Sequence, residues 1–330
     1  MKKTAFMIFL ILLPAYAFGG IGGDVDKRRV IGWVDSKPDY VGANQKNMWN
    51  TDPYNKIVFV SNRNGLSGTG EFVSPKHILT NIHVAKYCGA QDADGTVRKK
   101  CKITTSDGAV LDASVVLSGA KENEKMYRRN DWSILEVENY CSKNYFKYTT
   151  YNDIPISVFT MNLWQSGFGD LRVLSKTDID NIRAAYRVWV QYANATPQNW
   201  NNIFNNNVEL RSISTKKDQY KIFFDAYRNI TGKDFLTDCF NDSHTLKRND
   251  KCSVSKANKG LAKHDCQTWH GDSGSTLQTS SNEIVMLHRG GAEYITRQDK
   301  FLNEGPVAGE IFSRPEVIEL LSKPCRINGK

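Results

Sequence analysis

The chain has 330 residues, of which 40% are hydrophobic and 24% charged, with seven cysteines and a formal net charge of +9. This composition excludes a disordered chain, and the length suffices for one large domain or two lobes around a real core. The positive excess favours acidic partners such as an anionic envelope; nucleic acid is not expected among the partners.

Residues 1–17 read as a secretory signal peptide. Lys2 and Lys3 give a basic start, an apolar run extends from Ala5 to Leu13, and Ala15-Tyr16-Ala17 is a small-x-small cleavage site. The run is too short to cross a bilayer, which needs about 20 apolar residues, and no other stretch approaches that length. No cysteine follows the cleavage site, so no lipid anchor is indicated there. The mature protein is expected to be soluble and exported, secreted or periplasmic, with no integral membrane segment.

The cysteines stand at 88, 101, 141, 239, 252, 266 and 325. In a chain leaving the reducing cytoplasm, disulfides are expected, with one thiol left over. Cys88 with Cys101 would clip the loop after His83, Cys239 with Cys252 would close a hairpin, and Cys141 with Cys325 is a further pair. No spacing forms a paired C-x-x-C site, so no structural zinc or other metal is expected.

From 56 to 137, short strand-like runs at 57–60, 71–74, 109–117 and 132–137 alternate with Gly and Asn turns, the rhythm of a β-barrel or sandwich. Two residues in this half bear on chemistry. His83 ends the segment FVSPKHILTNIHVA, and Asp131 heads NDWSILEV. Farther on, the stretch 175–265 is partly helical: Thr177 followed by Asp180 reads as a cap, and Ile179, Ile182, Tyr186 and Trp189 recur at helical spacing. Tyr220, Phe223, Phe224 and Tyr227 form a second such face, and 199–207 is an Asn-rich loop. Residues 211–265 hold twelve Lys and Arg against seven Asp. That excess marks either a solvated decoration or a contact for an acidic surface.

Chemistry concentrates at 266–274, Cys-Gln-Thr-Trp-His-Gly-Asp-Ser-Gly. Flanking glycines let backbone N–H groups crowd the atom that Ser273 would attack. A hydroxyl is a poor nucleophile at neutral pH, so it needs a histidine base and a carboxylate that holds that base in the right tautomer. His83 is the candidate base and Asp131 the candidate orienter. Gly-Asp-Ser-Gly alone is also a good surface turn, and His83 or Asp131 alone would be an ordinary structural residue; the three together carry the chemistry.

TNIHVA, NDWSILEV and HGDSGS, in that order, resemble the three catalytic blocks of the chymotrypsin-like (trypsin-like) serine peptidases, over roughly 30–315 apart from the interior segment. The order His, Asp, Ser separates that family from subtilisins and α/β-hydrolases. The resemblance implies an all-β fold of two six-stranded antiparallel β-barrels, an N-terminal lobe over 18–150 and a C-terminal lobe over 151–330 with a partly helical insertion at about 175–265. His83 and Asp131 would face a cleft between the barrels, 165–169 resembles the family's Gly-aromatic-Gly strand, and a helix at 314–322 would close the fold. Too little chain follows that helix for the peptide-binding domain of Deg/HtrA-type proteases. The implied activity is that of an exported serine endopeptidase acting on proteins or peptides without a cofactor, with the N–H groups of Gly271 and Ser273 as oxyanion hole.

Within the family, the bacterial glutamyl endopeptidases are most similar. Thr268 and His288 occupy places that there receive a glutamate side chain, and Gln267 stands where trypsins keep a carboxylate. The implied substrate pocket is Gln267, Thr268 and His288, with a preference for Glu. Arg289 either supports the same charge or points to solvent on the alternating strand. In animal members, cleavage after a basic residue frees an amine that pairs with the aspartate before the serine, here Asp272. Arg29-Val30-Ile31-Gly32 fits such a site, but in many bacterial members a similar segment is an uncleaved lead-in strand, the reading preferred here. The rival from another class is a catalytically silent chymotrypsin-fold binding protein in which the insertion does the work.

Overall fold

The computed structural model describes residues 26–35, 37–38, 41, 43–61, 67–85, 88, 100–120, 128–150, 162–170, 172–194, 219–239, 244–254, 257–268, 271–295 and 300–327. The expected leader at 1–17, the expected Asn-rich loop at 199–207 and the expected start of the second lobe near 154 lie outside them. The chain divides into a larger unit built on Lys27–Asp170 and Asp242–Lys330, and a smaller one of Gly23–Asp26 and Leu171–Asn241.

The larger unit opens with β1 (Arg29–Trp33), β2 (Ile57–Ser61), β3 (Ser67–Phe72) and β4 (His77–Thr80). A short helix α1 (Ile82–Ala85) follows, then β5 (Cys101–Thr104), β6 (Val110–Ser118) and β7 (Ser133–Val137). Strands β2 to β7 close into a barrel in the order β2-β3-β4-β7-β6-β5. Their apolar text follows from burial on both faces. Val58, Val60, Ile78 and Leu135 fill one cluster, while the alternate residues Ile57, Phe59, Leu79 and Ile134 pack in another, as the two-residue period of a strand requires. β3 begins four residues before the expected strand at 71, because its Ser-Gly-Thr-Gly text reads as a turn. The small residues serve packing: a Cβ on Gly70 would lie 2.6 Å from Ile78 and 2.9 Å from Val60.

The rest of this unit comprises β8 (Lys147–Tyr148), β9 (Leu163–Gly167), β10 (Thr245–Cys252), β11 (Leu261–His264), β12 (Thr276–Gln278), β13 (Glu283–Leu287), β14 (Gly290–Ile295) and β15 (Lys300–Pro306). No second closed ring of six is complete among the described ladders, which form a sheet ordered β1-β10-β9-β12-β13-β8 and a three-stranded sheet ordered β11-β15-β14. The chain leaves the first sheet after Leu287 and enters the second at Gly290, so the alternation that one continuous strand would impose on 284–291 is interrupted at His288 and Arg289.

In the smaller unit, α2 (Lys176–Asn194), α3 (Gln219–Thr231) and α4 (Phe235–Asp238) gather Ile179, Ile182, Tyr186, Ile222, Phe223, Tyr227 and Phe235 as buried residues. The cap of α2 lies two residues before the expected one. Asp178 N donates to Ser175 Oγ at 3.2 Å and Ser175 N donates to Asp178 Oδ2 at 2.9 Å, a reciprocal capping pair. Asp180 instead meets Lys176 one turn back at 3.0 Å. The stretch 175–265 thus divides: its helices belong to this unit, while β10 and β11 belong to the sheets of the larger one. Two helices close the larger unit, α5 (Ala308–Phe312) and α6 (Pro315–Ser322), the latter at the expected terminal helix.

Disulfides join Cys88 to Cys101 and Cys141 to Cys325, as the sequence suggests. The third pair is Cys252–Cys266 and not Cys239–Cys252. Cys239 follows α4 in the smaller unit, where its thiol is buried and free, whereas Cys252 ends β10 and lies 4.9 Å from Cys266 between Cα atoms.

Candidate active site

Strand register brings His83 and Asp131 together. β4 pairs with β7 with Thr80 opposite Ser133, so the residues just beyond the end of β4 and just before the start of β7 are neighbours. Asn81 fastens that corner by donating from Nδ2 to the Asp131 main-chain oxygen at 2.7 Å. His83 Nδ1 lies 2.8 Å from Asp131 Oδ2, and the His83 main-chain N–H donates to Oδ1 at 3.3 Å. Asp131 is fully buried. Burial opposes its charge, but the charge and hydrogen bonds of His83, with the charge of Arg289, outweigh burial and hold the carboxyl below its usual range.

The turn carrying Ser273 is one that glycine alone admits. Gly271 and Gly274 have φ of +88° and +90°, and a Cβ would fall 2.1 Å from Phe168 O in the first case and 2.0 Å from Thr69 O in the second. Thr69 of β3 anchors the turn to the barrel: its N–H donates to Ser273 O at 2.9 Å and its hydroxyl to Gly271 O at 2.8 Å. Two residues beyond Thr69, Glu71 of β3 accepts from Thr276 N at 2.9 Å, from Thr276 Oγ1 at 2.5 Å and from Gln278 Nε2 at 2.7 Å. Asp272 is buried, and a Cβ on Gly167 or Gly169 would strike its carboxylate at 2.5 or 2.3 Å.

Ser273 Oγ donates to the Arg289 carbonyl at 3.3 Å. Among the described residues no hydrogen bond joins Ser273 Oγ to His83, and none engages the N–H of Gly271 or Ser273. Arg289 does not point to solvent: its Nε lies 3.1 Å from Asp131 Oδ2 and its guanidinium 3.4 Å from the buried carboxylate of Glu304. The break between β13 and β14 allows this, since His288 and Arg289 can both turn inward where a continuous strand would have sent one outward.

The expected pocket residues are all buried. Gln267 is fastened at its main chain by Asn249 and at its side chain by the Lys27 N–H. The Thr268 hydroxyl has no hydrogen-bond partner among the described residues. His288 Nδ1 lies 3.0 Å from His264 Nε2. Burial pushes His264 down to about 3, and burial first, with the Arg289 guanidinium nearby, holds His288 well below the usual histidine range, so both rings are neutral near pH 7. The sequence reading did not single out His264, Glu304 or Glu71; they lie 24, 15 and 205 residues from the partners they meet, and no local pattern marks such pairs.

Among the described residues of the smaller unit, Asp178, Asp238 and Cys239 have metal-ligand chemistry and place one ligand atom each within 4.8 Å of one another. A cation already serves this group. Arg172 pairs with Asp178 at 3.0 Å and donates to Asp238 O at 2.9 Å, and burial pushes the Cys239 thiol up to about 11, against thiolate formation.

No protein-family model matches the chain, and no curated protein matches it. Its shape is similar to that of a Glu endopeptidase solved in complex with MPD, at TM-score 0.45 and 16% identity over 90% of this chain and 95% of that one. It is also similar to the active form of the Rv3671c protease from M. tuberculosis, at TM-score 0.43 and 12% identity over 83% of this chain and 84% of that one. Neuropsin, a serine protease expressed in mouse brain, matches at TM-score 0.44 and 10% identity over 82% and 95%. These are likenesses of shape at low identity. The chemistry rests on the residues themselves.

Proposed function

We propose that the chain is an exported serine endopeptidase that hydrolyses peptide bonds of protein or peptide substrates through an acyl-enzyme. The observation that carries the reading is the 2.8 Å contact between His83 Nδ1 and the buried Asp131 carboxylate. That contact keeps a proton on Nδ1, donated to the Asp131 carboxylate, and leaves Nε2 as the base. His83 takes the Ser273 proton as Oγ adds to the scissile carbonyl carbon, and Asp131 stabilises the imidazolium formed. The N–H groups of Gly271 and Ser273 serve the developing oxyanion. The imidazolium then protonates the leaving amine, and a water deprotonated by His83 releases the acyl group. In the present arrangement the Ser273 hydroxyl turns from the Arg289 carbonyl to His83 when substrate arrives, since catalytic hydrogen bonds commonly tighten only in the complex.

The finer reading is a preference for Glu before the scissile bond. The unpartnered Nδ1 of buried His264 is better accommodated as a lone pair than as an orphan N–H, which puts its proton on Nε2 and directs it to His288 Nδ1. His288 then carries its own proton on Nε2, a neutral donor suited to a carboxylate, and the Thr268 hydroxyl adds a second. Export fits three disulfides, which persist in oxidising compartments; among the described residues no helix is long and apolar enough to cross a membrane.

A second reading, a catalytically silent binding protein, is favoured by one observation, the bond of Ser273 Oγ to Arg289 O in place of His83. Turnover of casein by variants separates the two. Ser273→Ala and His83→Ala should each lower kcat by about 10³-fold or more, and the double variant should be scarcely worse than either, because the residues act as one unit. Wild-type turnover by Ser273→Ala would refute the assignment.

A further inference from the structure

Asp131 Oδ2 faces two cationic groups at once, His83 Nδ1 at 2.8 Å and Arg289 Nε at 3.1 Å. A guanidinium in contact with this carboxylate has two effects. It attracts the carboxylate as an ion pair, and it offsets part of the negative charge that an imidazolium on His83 would use. Behind it stands a further buried carboxylate: Glu304 Oε1 lies 3.4 Å from Arg289 Nη1, and the backbone holds the two residues together through Arg289 N–H donating to Glu304 O at 3.0 Å. His83, Asp131, Arg289 and Glu304 thus form a row of alternating sign from α1 through the start of β7 to β15.

We propose that Arg289 is a positioning residue for the His83–Asp131 dyad, anchoring the Asp131 carboxylate and moderating its charge, and that Glu304 sets how strongly it does so. The claim deepens the hydrolase reading and rests on it only for its kinetic consequence. Among the described residues, the titratable and charged groups around the dyad include His288 and Arg289 between β13 and β14, Glu304 on β15, and His264 on β11 behind His288. His264 and His288 are neutral near pH 7, so Arg289 and Glu304 carry the nearby charge. The Arg289 carbonyl also receives the Ser273 hydroxyl, so one residue touches the acid with its side chain and the nucleophile with its main chain.

The sign of each charge gives the test. Loss of the positive charge in Arg289→Gln makes protonation of the dyad easier; loss of the negative charge in Glu304→Gln makes it harder. A histidine-ring NMR titration of the mature protein, with the His83 signal assigned by its loss in His83→Ala, reads this without requiring activity. The dyad's midpoint should move up by about one pH unit in Arg289→Gln and down by about half a unit in Glu304→Gln, with the double variant between them. The acid limb of fluorophosphonate labelling at Ser273 should move in the same directions. Shifts of the same sign in both variants, or midpoints within about 0.2 unit of wild type, overturn the proposal. Should Arg289→Gln fail to fold, Arg289→Lys keeps the charge and should stay near the wild-type midpoint, and a full upward shift there overturns the proposal equally. Opposed titration shifts with no labelling of any protein would leave the Arg289 role standing and remove the hydrolase reading; labelling with unmoved midpoints would do the reverse.

Discussion

Glu71 offers a quantitative test of how the serine turn is held to the barrel. Its carboxyl is completely buried in β3 and accepts from Thr276 N, Thr276 Oγ1 and Gln278 Nε2. Two effects oppose each other there. Burial disfavours the charge and the three hydrogen bonds favour it; burial wins, and the carboxyl is pushed up to about 7 from an ordinary value of 4.5. Between those two values the native protein keeps a proton that the unfolded chain has released. Stability therefore falls as pH rises through this window, by about 1.4 kcal/mol per pH unit and on the order of 3 kcal/mol in all. Below about pH 4.5 the group contributes nothing to the slope, and above about 7 the penalty is fully present. Glu71→Gln removes the titration while keeping the shape. Its amide meets the same donors less well, which costs about 1–3 kcal/mol at every pH, so the diagnostic quantity is the change in the difference between variant and wild type. Urea unfolding at pH 4, 6 and 8 should show Glu71→Gln gaining on wild type by on the order of 3 kcal/mol across the series. A flat difference would refute the reasoning and mean that the three hydrogen bonds keep Glu71 ionised throughout.

Two further outcomes concern the termini and the pocket. The Arg29–Val30 bond is expected to be intact in active protein, since both residues are consecutive members of β1, paired with Arg248 and Lys247 of β10; N-terminal sequencing checks this, and a dominant Val30 terminus whose appearance tracks activity would establish activation by cleavage instead. A peptide-library profile should show cleavage after Glu, with Asp or a small polar residue next, and loss of the Glu preference in His288→Ala with other cleavage retained. Strong cleavage after Lys or Arg would need a counter-charge that Gln267, Thr268 and His288 do not supply, and strong cleavage after large aromatics would leave His288 and Thr268 without a carboxylate to bind; either would contradict the assignment.

The parts of the site that could be read from the sequence are those with a local signature. Gly271 and Gly274 bracket Ser273 because the turn needs positive φ, and Asp131 precedes the fully buried Trp132 at the head of an alternating strand. Helical spacing located the buried face of α2 for the same reason, though its cap lies at Ser175 because Ser and Asp fit a capping pair as well as Thr and Asp do. What escaped depends on pairings across long separations. β3 hides in a Gly-rich run because its small residues answer to Ile78 and Val60 of the barrel, not to their own neighbours. For Arg289 the solvent-facing alternative presumes a continuous alternating strand, and the break between Leu287 and Gly290 removes that premise. Cys252 could not be matched by spacing alone, since Cys239 and Cys266 flank it at similar distances, 13 and 14 residues.

The central claim is that Ser273 is a nucleophile activated by His83 and Asp131. A fluorophosphonate probe reacts with such a serine and not with an ordinary surface hydroxyl, so labelling of folded mature protein followed by peptide mapping tests the claim most directly. The adduct is predicted on Ser273, absent in Ser273→Ala and strongly slowed in His83→Ala. Folded protein that takes no label at Ser273, or labels equally without His83, would contradict it.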